Sequence, residues 1–304
     1  MEKTVLVVAR KFNDIFYAVN CEEFKKAKRK HLLIIAQNDN QLYPYTDLFD
    51  EIFKIESADV SWRGQIKLLS KILQLKNKLY CDILFTSNLV LLSHLFVVKI
   101  SGCKSIILLE DGYMNYRSDN FDVNRIKNLV LRILGINKKR IFDNIKITYL
   151  LDPNEAKYCF GMKKKILLNP SHTPVYIGPD LSNKNIFIGQ ALYATDPNVS
   201  FKTYNEIVNR IIKEYKIDYY IPHFYASQEK IDCPVLNLSE YGVTLEMISN
   251  IFKFNIFSFS SSLLFTTRLI NPEINSIMVS HNDIPEIVDK DIFVKSGVII
   301  SHLN

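Results

Sequence analysis

Glycine and proline are scarce, 9 and 10 among 304 residues, which excludes long low-complexity linkers. The five cysteines, at positions 21, 81, 103, 159 and 233, form no CxxC pair. That argues against a disulfide framework or a zinc site and for reduced, mostly buried thiols. No glycine-rich Walker or GxGxxG loop occurs, and neither GxSxG nor HExxH is present, so ATPase and dinucleotide-binding roles lack support. No basic stripe interleaved with aromatics appears, and no nucleic-acid partner is expected. The most apolar stretch, residues 83–100, contains Ser87, Asn88, Ser93, His94 and Lys99, too polar for a membrane span. Met1-Glu2-Lys3 runs straight into an apolar hexapeptide, which reads as a first buried strand rather than a signal peptide. The expected compartment is the cytoplasm.

What is present is a chain with 48% apolar and 23% charged residues, enough to bury full cores and long enough for two domains. Short Val/Ile/Leu runs at 5–9, 32–35, 52–54, 83–86, 105–109 and 147–151 alternate with helical stretches at 21–29, 62–76, 89–101 and 123–134. Strands buried on both faces lose their alternating pattern, so this rhythm predicts a parallel sheet wrapped by helices. The richest turn region, Asn169-Pro170 through Gly178-Pro179-Asp180, reads as a linker. After it the rhythm restarts, with strands expected at 185–189, 218–222, 235–238, 256–259, 276–279 and 297–303 and helices at 202–213, 244–252 and 262–269. The expected layout is an N-terminal domain over 1–170, a linker over 171–182 and a C-terminal domain over 183–304. No internal repeat goes beyond this shared rhythm.

Three segments carry candidate chemistry. In Leu108-Leu109-Glu110-Asp111-Gly112 a strand delivers two carboxylates to its C-terminal end, where open parallel sheets place their ligands. A carboxylate there suits a general base; the bland alternative is a turn. In Tyr219-Tyr220-Ile221-Pro222-His223-Phe224 a strand runs into a histidine placed to bind or protonate a phosphate, against the alternative of a structural histidine. In Ile256-Phe257-Ser258-Phe259-Ser260-Ser261-Ser262 hydroxyls and free N–H groups open a helix, a ready phosphate site or an ordinary cap. Glu246, in a first helical turn, suits ribose hydroxyls or simply the helix dipole.

In this order the motifs resemble those of bacterial sialyltransferases. Glu110-Asp111-Gly112 is similar to their acidic motif and Ser261-Ser262 to their paired serines. Ile221-Pro222-His223-Phe224 is similar to their HP motif, with Phe224 departing from it. Ile188-Gly189-Gln190, opening the second domain, adds to a resemblance to glycosyltransferase family 52. The resemblance implies an α/β fold of GT-B type, two Rossmann-like domains facing each other across a cleft. It also implies an inverting transfer of sialic acid from CMP-sialic acid to a galactose-type residue of a bacterial surface glycan, capsule or lipooligosaccharide, with no metal or other cofactor. Asp111 would be the base, with Glu110 and Gly112 beside it. His223, Ser261 and Ser262 would hold the phosphate, with Ser260 as the alternative in a register one residue earlier, Glu246 the ribose, and Gly189 and Gln190 the donor side. The alternatives are a GT-B transferase using another nucleotide sugar, and a catalytically silent nucleotide- or sugar-binding protein.

Two further features stand outside that scheme. Asp289-Lys290-Asp291 spells a DxD and reads as a surface turn. The stretch from Val123 through Arg140 separates apolar and basic positions at helical spacing, which suits a solvated helix or peripheral contact with the inner face of an anionic membrane. A net charge of +6 fits anionic substrates, and a homodimer is left open.

Overall fold

The computed structural model describes residues 3–36, 43–57, 61–116, 125–157, 164–223, 229–285 and 290–303. The chain divides into two compact units, Met1–His172 and Thr173–Asn304.

The first unit is built on seven strands, β1 Thr4–Ala9, β2 Arg29–Ala36, β3 Glu51–Glu56, β4 Ile83–Thr86, β5 Ser105–Leu108, β6 Ile145–Leu150 and β7 Lys165–Leu167. Their order is β3-β2-β1-β4-β5-β6-β7, and every neighbouring pair is parallel. Residues Val5 to Ala9 of β1 are all buried, as expected of a strand covered on both faces. The connections carry α1 Phe12–Val19, α2 Glu22–Lys25, α3 Trp62–Gln74, α4 Leu92–Ser101, α5 Arg125–Ile133 and α6 Lys138–Asp143. One face of the sheet is filled by a core that includes Leu6, Leu84 and Ile106 from strands and Leu68, Leu95, Leu131 and Ile141 from α3, α4, α5 and α6. Each such buried aliphatic contributes roughly 1.5–3 kcal/mol.

The second unit has β8 Asn185–Ile188, α7 Phe201–Tyr215, β9 Tyr219–Ile221, α8 Leu245–Ile248, β10 Asn255–Ser258, α9 Leu263–Ile270, β11 Asn275–Ser280, α10 Asp291–Lys295 and β12 Ile299–His302. Its strands run β12-β11-β10-β8-β9, again all parallel.

Several expectations are corrected. The helix expected at 21–29 is the single turn α2, because β2 already begins at Arg29 and takes its place in the sheet. Ahead of it lies α1, which the periodicity missed because seven of its eight residues are buried and show no polar face. The strand expected at 235–238 reduces to one bridge, Tyr220 to Val235, followed by a tight turn at Leu238–Tyr241. The helix expected at 244–252 is one turn. The basic run from Val123 to Arg140 is not one helix but α5 and α6; its first two residues lie outside the described residues. The DxD is likewise incomplete, since Asp289 is not described, and Asp291 opens α10.

Strand order fixes where ligands can sit. In the first sheet the chain moves outward from β1 to β3 and then crosses back to β4 on the other side of β1. In the second it passes from β8 to β9 and then to β10 on the opposite side. The crevices at such reversals, beyond the carboxyl ends of the strands, are where open α/β sheets bind ligands. Here they lie between β1 and β4 and between β8 and β10.

Candidate functional site

At the reversal of the first sheet three loops meet on Asp111. Its Oδ1 lies 2.7 Å from Lys11 Nζ, in the loop after β1. Its Oδ2 accepts a hydrogen bond from Asn88 Nδ2, in the loop after β4, at 3.0 Å. Asn88 is itself fixed, because its Oδ1 accepts from the N–H groups of Val90 and Leu91. The Asp111 N–H donates to Asn115 Oδ1 at 2.5 Å, across a turn opened by Gly112 at φ +64°, a conformation that a side chain would strain. The Asp111 side chain is 6% exposed while that of Lys11 is 62% exposed. Burial raises the Asp111 carboxyl above its ordinary value, and the Lys11 ammonium pulls it the other way. The result is a desolvated carboxylate of raised basicity at the mouth of a strand, chemically suited to accept a proton.

Glu110, one residue earlier, points into the protein. It is 1% exposed, and its Oε2 accepts from the Tyr116 hydroxyl at 2.7 Å and from the Leu151 N–H at 2.9 Å. Burial pushes it up to about 7, against the lowering effect of those two donors. Behind the site His94 on α4 is fully enclosed, bonded through Nδ1 to Thr86 Oγ1 at 2.7 Å, and burial lowers it to about 4. It is a neutral core imidazole at physiological pH. The α1 entrance is also closed to anions, because Asp14 Oδ2 accepts from the N–H groups of Arg10 and Lys11 at 2.7 and 2.9 Å.

The second sheet's reversal has the opposite character. Gln190, just after β8, clamps the loop after β10: its Nε2 donates to Ser260 Oγ, and its Oε1 accepts from the Ser260 N–H and Ser258 Oγ. Ser260 is thereby fixed by the clamp, its N–H donating and its Oγ accepting, with its hydroxyl proton left to donate. Among the described residues no acceptor faces the N–H groups of Ser261 and Ser262, which stand at the entrance to α9. Among the described residues no carboxylate caps this entrance as Asp14 does in the first unit; Ser261 Oγ accepts from the Leu263 N–H, and the remaining N–H groups suit an anion. His223 follows β9, the strand beside β8, and burial lowers its pKa. Phe224 lies outside the described residues. Glu246 on α8 is buried and accepts from Thr266 Oγ1 at 3.2 Å, and that hydroxyl also donates to the Ser262 carbonyl. The structure therefore joins Gln190 to Ser260 and Glu246 to the first turn of α9.

A buried chain supports the β8 loop. The Gln190 N–H donates to the Tyr204 hydroxyl, which lies 3.2 Å from that of Tyr220, and Tyr220 donates to Glu229. Gly189 makes this approach feasible, since a Cβ there would overlap the Tyr220 hydroxyl. Gly189→Ala is expected to cost about 1–3 kcal/mol through overpacking, read as a lowered thermal midpoint; an unchanged midpoint would remove this role.

Lys11 and Asn88 were not foreseen from sequence. Among the described residues there is no cluster of three or more His, Cys, Asp or Glu that could hold a metal ion, and no helix is long and apolar enough to cross a membrane.

No protein-family model matches the chain, and no curated protein matches its sequence. Solved structures do match in shape. A putative UDP-N-acetylglucosamine 2-epimerase from Listeria monocytogenes aligns at 9% identity and TM-score 0.53, over 91% of this chain and 79% of that one. MnaA from S. aureus, solved with UDP, aligns at 9% identity and TM-score 0.50 over the same shares. A family 9 glycosyl transferase from Veillonella parvula aligns at 10% identity and TM-score 0.44, over 99% and 86%. At such identities the likeness concerns fold, and the fold is plain: two parallel-sheet α/β domains of GT-B type.

Proposed function

We propose that the protein is an inverting glycosyltransferase whose first unit activates an acceptor hydroxyl and whose second unit holds a nucleotide sugar. The observation that carries this reading is Asp111, a buried carboxylate raised in basicity and aimed by Lys11 and Asn88. Asp111 takes the proton of the acceptor hydroxyl. The freed oxygen attacks the anomeric carbon of the donor, and the bond from that carbon to the phosphate oxygen breaks with its electron pair. The departing phosphate gains a negative charge, which the N–H groups of Ser261 and Ser262 and the N-terminal end of α9 stabilise. His223, whose pKa burial lowers, donates a hydrogen bond to that phosphate.

For the donor we propose CMP-sialic acid, on the similarity of Glu110-Asp111-Gly112, Ile221-Pro222-His223 and Ser261-Ser262 to the sialyltransferase motifs. A second reading, a UDP-sugar donor, is favoured by the likeness to MnaA solved with UDP. The deciding experiment incubates the protein with lactose, EDTA and either CMP-sialic acid or a UDP-sugar panel, and follows product by mass spectrometry. Sialyl-lactose formed in EDTA is the expected result. Transfer from a UDP-sugar alone would replace the donor and keep the base. Binding of a nucleotide sugar with no transfer from any donor would leave a silent binding protein.

A further inference from the structure

The first unit carries a surface that its proposed reaction does not use. Helices α3, α4, α5 and α6 cover one face of the sheet: α3 packs on α4, α4 packs on α6, and all four feed one core. Along them the charge is almost wholly positive. α3, α4 and α5 carry Lys and Arg and no acidic residue, and α6 sets Lys138, Lys139 and Arg140 against Asp143 alone.

The same face exposes large apolar side chains that the core does not need. On α3, Leu68 and Ile72 are buried, while Trp62, Ile66 and Leu73 stay in solvent, Ile66 being 65% exposed. On α5, Leu131 is buried, while Leu129 and Ile133, one turn apart, are exposed, Ile133 by 77%. Scattered exposed apolar residues are ordinary. Two helices of the same core, α3 and α5, each presenting such side chains among cations are not, and this is the pattern of a surface that lies in a lipid interface.

We propose that this helical face docks on a bilayer containing anionic lipid. The cations draw the face to the headgroups, and Trp62, Ile66, Leu129 and Ile133 enter the boundary with the acyl chains. Charge argues against the other occupants. Two copies of this face would repel each other, which disfavours a homodimer through it. A nucleic acid would answer the cations but not the leucine and isoleucine rows. Because α3 and α5 follow strands of a parallel sheet, their N-terminal ends lie at the edge where Asp111 sits. A bilayer on this face would therefore border the proposed acceptor site.

The test is sedimentation of the full chain with vesicles of phosphatidylcholine alone and of phosphatidylcholine mixed with phosphatidylglycerol. Binding is expected only with phosphatidylglycerol and should weaken at high salt. Reversing the charge of exposed cations (Arg132→Glu with Lys139→Glu and Arg140→Glu) is expected to reduce partitioning about tenfold or more. Ile66→Ser with Ile133→Ser should reduce it at unchanged net charge; both positions are exposed, and equal thermal midpoints check the fold. No sedimentation with phosphatidylglycerol vesicles overturns the proposal. So does full binding by the serine variant together with equally tight binding to heparin, which would make the face a general polyanion site. No sugar is present in this assay, so its outcome is independent of the proposed transfer.

Discussion

Asp111→Asn is expected to lower transfer by about 10²–10⁴-fold, the usual contribution of a positioned general base, while nucleotide binding is unchanged. The substitution keeps the planar side chain in its niche, so the loss reports the proton acceptor rather than a collapsed loop. Lys11→Met supplies the complementary result. Lys11 opposes the burial that raises the Asp111 carboxyl. Without it burial is opposed only by the Asn88 hydrogen bond, Asp111 rises further, and the base stays protonated over a wider acid range. The acid limb of kcat/KM should therefore move to higher pH, with turnover in alkaline buffer closest to that of the unaltered protein. Full turnover by Asp111→Asn, or an acid limb that stays in place in Lys11→Met, would put the base elsewhere.

The difference between neighbouring carboxylates shows where sequence reading stops. β5 was legible as an unbroken apolar run ending in Glu110-Asp111-Gly112, and β8 likewise, ending in Gly189-Gln190. A run buried on both faces hides its phase, however, and successive side chains of an extended backbone point to opposite sides. Nothing in the string says that Glu110 turns inward while Asp111 faces the reversal. The serines illustrate the same limit, since only the pairing of β8 with β10 brings Gln190 against Ser260 rather than Ser261 or Ser262. Lys11 and Asn88 are polar residues just beyond strands, as many residues are. Their contact with Asp111 emerges only once β1, β4 and β5 are known to be adjacent. The helix α1 escaped for a different reason, being too deeply buried to show a polar face.

Glu110→Ala is expected to destabilise the first unit by about 3–5 kcal/mol, because it leaves the Tyr116 hydroxyl and the Leu151 N–H without their buried acceptor and opens a void. Glu110→Gln keeps an acceptor for both donors and isolates the charge. The folded protein holds Glu110 at about 7 against an ordinary 4.5. A raised carboxyl favours the folded state fully below about 4.5, and that contribution is lost as the pH climbs to and through about 7. The difference corresponds to about 3 kcal/mol. In Gln this dependence is absent, while its amide NH₂ occupies the place of Oε1, a buried atom with no hydrogen-bond partner among the described residues. The unaltered protein should therefore be the more stable near pH 5, and its advantage should shrink by about 2.5 kcal/mol by pH 8. Trp62 is the only tryptophan and sits on α3 of the first unit, so urea titrations followed by its fluorescence report this unit. A stability difference between the Gln variant and the unaltered protein that stays constant from pH 5 to 8 would show that Glu110 is ionised in the fold. An unfolding midpoint of Glu110→Ala equal to that of the unaltered protein would remove its role in joining β5 to the end of β6.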